Sequence, residues 1–375
     1  MKIGILTLPL HTNYGGILQA YALQTVLERM GHEVEVIDKP MYRTSPNLLV
    51  RPVIYLKRYL YKMLGKYKGE ILTKDQNKRI SIEQVYTRPF INKYIHRAEM
   101  VSLRNCRDLS FDAVVVGSDQ VWRALYFRSL WNTDMTDAFL GFCAKDVKRV
   151  AYAASFGTDK WEFTKAETKK CTELIHEFSA VSTREESGIK LCGEYLKFDA
   201  CKHTLDPTML LSKEYYISLF ETARTPQSKG TLLCYMLDET EEKEQLIELL
   251  AKEKNLKPFK VNSCVENHSA QLEECCQPPV EQWLKGFHDA KFVITDSFHA
   301  CVFSIIFNKP FIVVGNVKRG LERFYSLLKT FDLEQCLLSS SARRFDVKDI
   351  DWVQVNYKLA QKRQACIDFL EKGLE

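Results

Sequence analysis

The amino-acid sequence predicts an α/β protein of two domains with mainly parallel sheets, and three observations carry that prediction. Strand-like and helix-like segments alternate along the chain, the order that parallel sheets require because each crossover needs a helix. One strand–helix–strand unit occupies the first 38 residues, and a second lies in "FVITDSFHACVFSIIFNKPFIVV", residues 292–314. At 375 residues the chain is long enough for two separate cores.

The first unit runs from a strand at Ile3 to Leu8, through an amphipathic helix from Gly16 to Met30 that Gly31 stops, to a strand at Val34 to Ile37. Its loop "PLHTNYGG" is longer than most strand-to-helix loops, and long loops in compact domains are often functional. Asn13, Gly15 and Gly16 tolerate unusual backbone angles and let a ligand approach the main chain. Neither a Gly-x-Gly-x-x-Gly fingerprint nor a Gly-Lys-Ser/Thr phosphate loop is present, so a dinucleotide is not supported. Later strands end in small or polar residues: "FDAVVVGSDQVW" at Gly117-Ser118-Asp119, "RVAYAASFG" at Ser155, and "AVSTREES" at Thr183, Arg184 and Glu185, where a helix should start. Together these put polar loops on one edge of a sheet. "HTLDPTMLL" reads as a strand and turn that close a first domain, 1–210. "GTLLCYML" opens a second, 211–345, followed by the helix Glu241 to Lys254, a strand near Pro258 to Val261 and a helix around Val280 to Ala290. Residues 346–375 contain a run of helical period from Trp352 to Leu370, expected to cross back to the first domain.

In the 292–314 unit, Phe292 to Thr295 reads as a buried strand, Ala300 to Phe307 as a buried helix and Phe311 to Val314 as the next strand. Asp296 or Ser297 can cap that helix by accepting from a first-turn amide. His299 then stands where an open sheet binds ligands, outside the carboxyl ends of its strands, beside helix amides that favour anions. The alternative is a buried, hydrogen-bonded histidine beside two capping residues.

Composition narrows the function classes. Hydrophobic residues at 46% and charged residues at 27% exclude wholesale disorder. The net charge of +5 suits anionic ligands or surfaces and is too weak and dispersed for nucleic acid. Twelve cysteines form no Cys-x-x-Cys pair and no regular framework, which fits a reduced compartment. The apolar run at the N-terminus is too short for a signal peptide and no segment reaches spanning length, so a cytoplasmic protein is expected. No metal-ligand cluster is visible. In residues 51–69, "RPVIYLKRYLYKMLGKYKG", Lys and Arg alternate with Tyr, Leu, Ile and Met without an acid. Such a helix can lie on an anionic membrane at the inner face, or it can pack its apolar side on the domain.

With these residues in place, the sequence resembles the polysaccharide pyruvyl transferase family in "NYGGILQAYALQ", "VVGSDQVW", "AYAASFG", "VSTREESG", "LDPTMLL" and "VITDSFHACVFSIIFNKPFIVV", in order along most of the chain. The resemblance implies two Rossmann-like domains facing a cleft, as in GT-B glycosyltransferases. It implies transfer of the pyruvyl group of phosphoenolpyruvate to a sugar as a ketal with release of phosphate, no cofactor or metal, and an acceptor often carried on a lipid. Carried over by position, the family's arginine is Arg184 and its histidine is His299, the acid/base. Many members have Arg-Leu-His where this chain has Ser297-Phe298-His299, which removes one expected cation. Donor binding is then expected from Arg184, Asp296, Ser297, Arg319 and Arg323. Acceptor binding is expected from Asn13, Tyr14, Gly15, Gly16, Ser118, Asp119 and Ser155. Two other readings fit the same architecture: a glycosyltransferase using a nucleotide sugar, and a two-lobed sugar-binding protein without catalysis.

Overall fold

The computed structural model describes residues 1–67, 69–103, 109–265, 267, 270–315, 320–338 and 349–375. Twelve strands lie among them: β1 Lys2–Leu6, β2 Glu33–Asp38, β3 Arg97–Glu99, β4 Ala113–Val116, β5 Lys148–Ala154, β6 Ala180–Thr183, β7 Lys202–His203, β8 Leu232–Tyr235, β9 Pro258–Phe259, β10 Phe292–Thr295, β11 Phe311–Val314 and β12 Leu337–Leu338. They form two wholly parallel sheets, in the orders β3-β2-β1-β4-β5-β6-β7 and β12-β11-β10-β8-β9. The chain is thus α/β with two Rossmann-like lobes. β4, β8, β10 and β11 are buried at every position, as strands covered by helices on both faces must be.

Strand order fixes where a ligand belongs. In the first sheet the order reverses between β1 and β4, which pair with Ile3 opposite Ala113. In the second it reverses between β8 and β10, with Ile294 opposite Cys234. Loops leaving such a pair diverge to opposite faces and open a crevice at the carboxyl edge. The loop after β1 leads into the helix Tyr14–Arg29, which ends at Gly31 with φ +88, the left-handed angle that glycine takes at helix ends. The loop after β10 leads into the helix Phe298–Ile306.

One apolar cluster runs from β1 and the helix Tyr14–Arg29 into Val261, Trp283 and Phe303 of the second lobe. Tyr14 is the seam: its ring stacks on Trp283 at 5.3 Å and its hydroxyl donates to the Pro278 carbonyl at 2.7 Å. The C-terminal helix Trp352–Leu374 lies on the first lobe. Lys148 and Ser179 donate to the Leu374 and Gly373 carbonyls, and Arg363 donates to those of Met209 and Leu211. Among the described residues no helix is long and apolar enough to cross a membrane.

Candidate functional site

The two crevices face each other across a cavity of about 570 Å³, lined from the first lobe by residues including Asn13, Gly15, Gly16 and Asp119, and from the second by Asp296, Ser297, Phe298, His299 and Arg323. Each lobe turns a helix start toward it. Asn13 caps the helix Tyr14–Arg29, its Oδ1 accepting from the Gly16 amide at 3.2 Å, and its Nδ2 lies 3.5 Å from Asp119 Oδ2. Ser297 rather than Asp296 caps the helix Phe298–Ile306, its Oγ accepting from the Ala300 amide. Asp296 is occupied elsewhere: it accepts from the Leu237 and Asp238 amides and from Lys243 Nζ at 2.6 Å. It therefore ties β10 to the loop after β8, so although it lines the cavity its oxygens already have partners.

The glycines of the first loop serve a different purpose from the one their backbone freedom predicts. Neither Gly15 nor Gly16 has a positive φ; both lie in the helix. A Cβ on Gly15 would sit 1.9 Å from His299 Nδ1 and 2.2 Å from its Cγ. Gly15 is bare because the imidazole of the opposite lobe lies on it.

His299 Nε2 faces the first lobe, 3.4 Å from Asp206 Oδ2 and 3.5 Å from Arg184 Nη1. Arg184 links two carboxylates, donating to Asp206 Oδ2 at 2.7 Å and to Asp119 Oδ1 at 3.2 Å, and its side chain is almost wholly buried. Burial works against the Arg184 charge, but Asp206 and Asp119 more than offset it and hold the guanidinium above its ordinary value. Burial likewise opposes both carboxylates. His299 and Arg184 nevertheless keep Asp206 well below the carboxylate range, and Arg184, His299 and Arg323 lower Asp119. The result is a buried ion network under the imidazole, in which Asp206 can hold the ring through Nε2.

Phe298 packs against two cations at once. The Arg184 guanidinium lies 4.5 Å from its ring centre and that of Arg323 lies 5.3 Å away, within cation–π range. Arg323 lines the cavity, whereas Arg184 stands behind His299 and Asp119. Burial, and after it the Arg184 charge, push Arg323 down to about 10, so it remains cationic at neutral pH.

Of the residues the sequence singles out, the fold brings Asn13, Gly15, Gly16, Asp119, Asp296, Ser297, His299 and Arg323 to the cavity wall, with Arg184 behind it. Three others do not line it. Ser118 Oγ donates to the Ala153 carbonyl inside the sheet, Ser155 Oγ accepts from the Gly157 amide, and Tyr14 is the seam residue. Arg319 lies outside the described residues. Sequence reasoning missed Asp206, which also caps the turn Pro207–Leu210 through Oδ1. Its signal was present in "LDPTMLL", read as the end of a domain and as one of the resembling segments, with no role given to its aspartate. Among the described residues no group of three or more His, Cys, Asp and Glu is placed to hold a metal ion.

A comparison with curated proteins gives no match. Among solved structures the chain is similar to the E. coli heptosyltransferase WaaC with ADP (12% identity, 96% of this chain and 100% of that one, TM-score 0.40). It is also similar to a UDP-GlcNAc 2-epimerase from Neisseria meningitidis bound to UDP-GlcNAc (11% identity, 99% and 100%, TM-score 0.45), and to the spinosyn forosaminyltransferase SpnP (11% identity, 98% and 95%, TM-score 0.39). At these scores the likeness carries no argument, and the two-lobed architecture stands on the strand orders. The sequence itself matches a family description, polysaccharide pyruvyl transferase, over residues 13–318, a span that takes in Asn13, Asp119, Arg184, Asp206 and His299. The chain belongs to the polysaccharide pyruvyl transferase family.

Proposed function

We propose that the protein transfers the pyruvyl group of phosphoenolpyruvate to two hydroxyls of a sugar in a surface-polysaccharide precursor, forming a cyclic ketal and releasing phosphate. Family membership over residues 13–318 carries this reading, and the chemistry of the cavity supports it. The donor brings a carboxylate and a phosphate, which call for cations and backbone donors. Arg323 and the two helix starts offer both at the cavity wall.

In the first step an imidazolium at His299 gives its proton to the methylene carbon of the enol. This leaves a cation at the adjacent carbon, and a sugar hydroxyl attacks there to form a C–O bond. The bond from that carbon to the phosphate oxygen then breaks and phosphate leaves with the electron pair. A second hydroxyl closes the ketal. Of the two hydroxyl protons, one replaces the proton given to carbon and the other leaves on phosphate. An imidazole can serve in both acid and base roles. Asp206, a buried carboxylate beside Nε2, is placed to orient the ring. Incubation with phosphoenolpyruvate and a panel of glycosides and lipid-linked sugars should yield a product heavier by pyruvic acid less water, with one phosphate per ketal. Turnover of a nucleotide sugar without any use of phosphoenolpyruvate would replace this reading with a glycosyltransferase.

Gly15 gives a sharper test of how the lobes cooperate. Gly15→Ala must displace the imidazole, because the added Cβ cannot occupy space 1.9 Å from Nδ1. A shift of that order should lower turnover by about 10²-fold. Gly16→Ala, whose Cβ comes no closer than 3.3 Å to the Asn13 amide nitrogen, should lose far less. Steady-state rates for the two variants, with thermal melts to confirm folding, make the comparison.

A further inference from the structure

The helix Arg51–Met63 is turned inside out relative to a normal surface helix. At about 3.6 residues per turn, Val53, Leu56, Leu60, Met63 and Leu64 fall within one arc, opposite Arg51, Tyr55 and Arg58. The polar side holds the protein: Arg51 donates to the Pro46 carbonyl, Tyr55 shares a hydrogen bond with Thr73 Oγ1, and Arg58 donates to the Ile71 carbonyl at 2.9 Å. The apolar side faces outward, with Val53 68%, Leu56 58%, Leu60 50%, Met63 72% and Leu64 65% exposed, and Leu49 in the preceding turn 87% exposed. No residue of this helix is buried. Globular proteins normally turn such a stripe inward, and a continuous exposed one marks an interaction surface.

We propose that this helix docks the protein on an anionic lipid surface. Charge selects that occupant. Residues 39–69 contain eight Lys and Arg and neither Asp nor Glu. Lys57 and Lys66 are exposed, and Lys62 is close to half exposed beside Glu70 at 3.9 Å. A two-fold contact between copies would bring the same patch of each together, cations against cations. An anionic bilayer instead neutralises the basic flanks while its interfacial region takes up the apolar face.

The location gives the docking a use. Thr73 starts the helix Thr73–Glu83, which spans to the second lobe: Arg79 donates to Cys275 Sγ, and the Glu83 carbonyl accepts from the Gln277 amide. Gln277 lines the cavity. The membrane-facing helix is thus one helix away from the cavity wall, so an acceptor held on a lipid would be presented beside it. This last step rests on the proposed transfer reaction, whereas the docking does not.

Sedimentation with vesicles, in the absence of donor and acceptor, separates the two. The wild type should bind vesicles of phosphatidylglycerol and phosphatidylcholine at low salt, bind pure phosphatidylcholine far less, and dissociate as salt screens the charges. The variant Lys57→Gln/Lys62→Gln/Lys66→Gln should bind about 10²-fold more weakly, and Leu56→Ser/Leu60→Ser/Met63→Ser should also lose binding. Circular dichroism checks that each variant is folded, and turnover on a soluble glycoside should be unaffected in both. Failure of the wild type to bind anionic vesicles overturns the proposal. So does a concentration-dependent dimer in the ultracentrifuge that the serine variant abolishes, since that face would then be an interface between copies. Loss of vesicle binding with soluble turnover intact leaves the reaction assignment standing; vesicle binding without any turnover of phosphoenolpyruvate does the reverse.

Discussion

His299→Ala is expected to lower ketal formation by about 10²-fold or more and to leave the protein folded. The imidazole lines the cavity between the lobes, lies on the bare face of Gly15 and stands 3.4 Å from Asp206. No other described histidine lines that cavity except His11, whose Nδ1 shares a hydrogen bond with Thr12 Oγ1 in the loop after β1. His299→Gln keeps a polar group of similar reach yet cannot carry a proton near neutral pH, so it should be as slow as alanine. Asp206→Asn should also lower the rate, because the ring loses the carboxylate that stands 3.4 Å from Nε2 and holds its orientation. Rates across pH for the three variants supply the measurement, and near-normal turnover in His299→Ala would return the imidazole to a packing role.

The second large effect is on stability. Arg184→Met is expected to cost about 3–5 kcal/mol, the usual consequence of removing one partner from a buried ion network. Asp119 and Asp206 would be left as buried carboxylates deprived of their shared cation. In the intact protein both are held below their ordinary values, so they contribute stability above roughly pH 4 that is lost as pH falls. In the variant burial is no longer offset by that cation and the two values rise. A raised carboxyl group contributes its stability at acid pH and loses it as pH rises through the new value. The deficit should therefore be largest at pH 7 and shrink toward pH 4. Urea unfolding at several pH values reads this directly, and a deficit that stayed constant or grew on acidification would mean that the carboxylates do not depend on Arg184. Because Arg184 stands behind the cavity wall, a folded Arg184→Lys should weaken phosphoenolpyruvate binding less than Arg323→Lys.

Much of this site was legible because its residues end strands. Short apolar runs that stop at Asn, Asp, Ser or His mark the carboxyl edge of a parallel sheet, and the two reversals of strand order make those edges face one cavity. Strand-end position does not tell which way a side chain turns. Ser118 and Ser155 end strands as Asp119 does, yet one donates back into the sheet and the other closes its own turn. Asp296 looks like a ligand contact until the amides of Leu237 and Asp238 are seen to need its oxygens. Asp206 meets Arg184 across 22 residues and His299 across 93, separations at which no local pattern operates. The basic helix shows the same limit. Its period announced an apolar stripe, but only the hydrogen bonds of Arg51, Tyr55 and Arg58 reveal that the stripe faces outward.

In the proposed reaction a proton passes from the His299 side of the cavity to the methylene carbon of phosphoenolpyruvate as the ketal forms. The reaction run in deuterium oxide with a soluble acceptor, and read by mass and proton resonance, tests it most directly. The expected product is a ketal whose methyl group carries a single deuterium, formed together with phosphate and lost in proportion to turnover in His299→Ala. A ketal methyl group without deuterium, or full incorporation at unchanged rate in that variant, would contradict it.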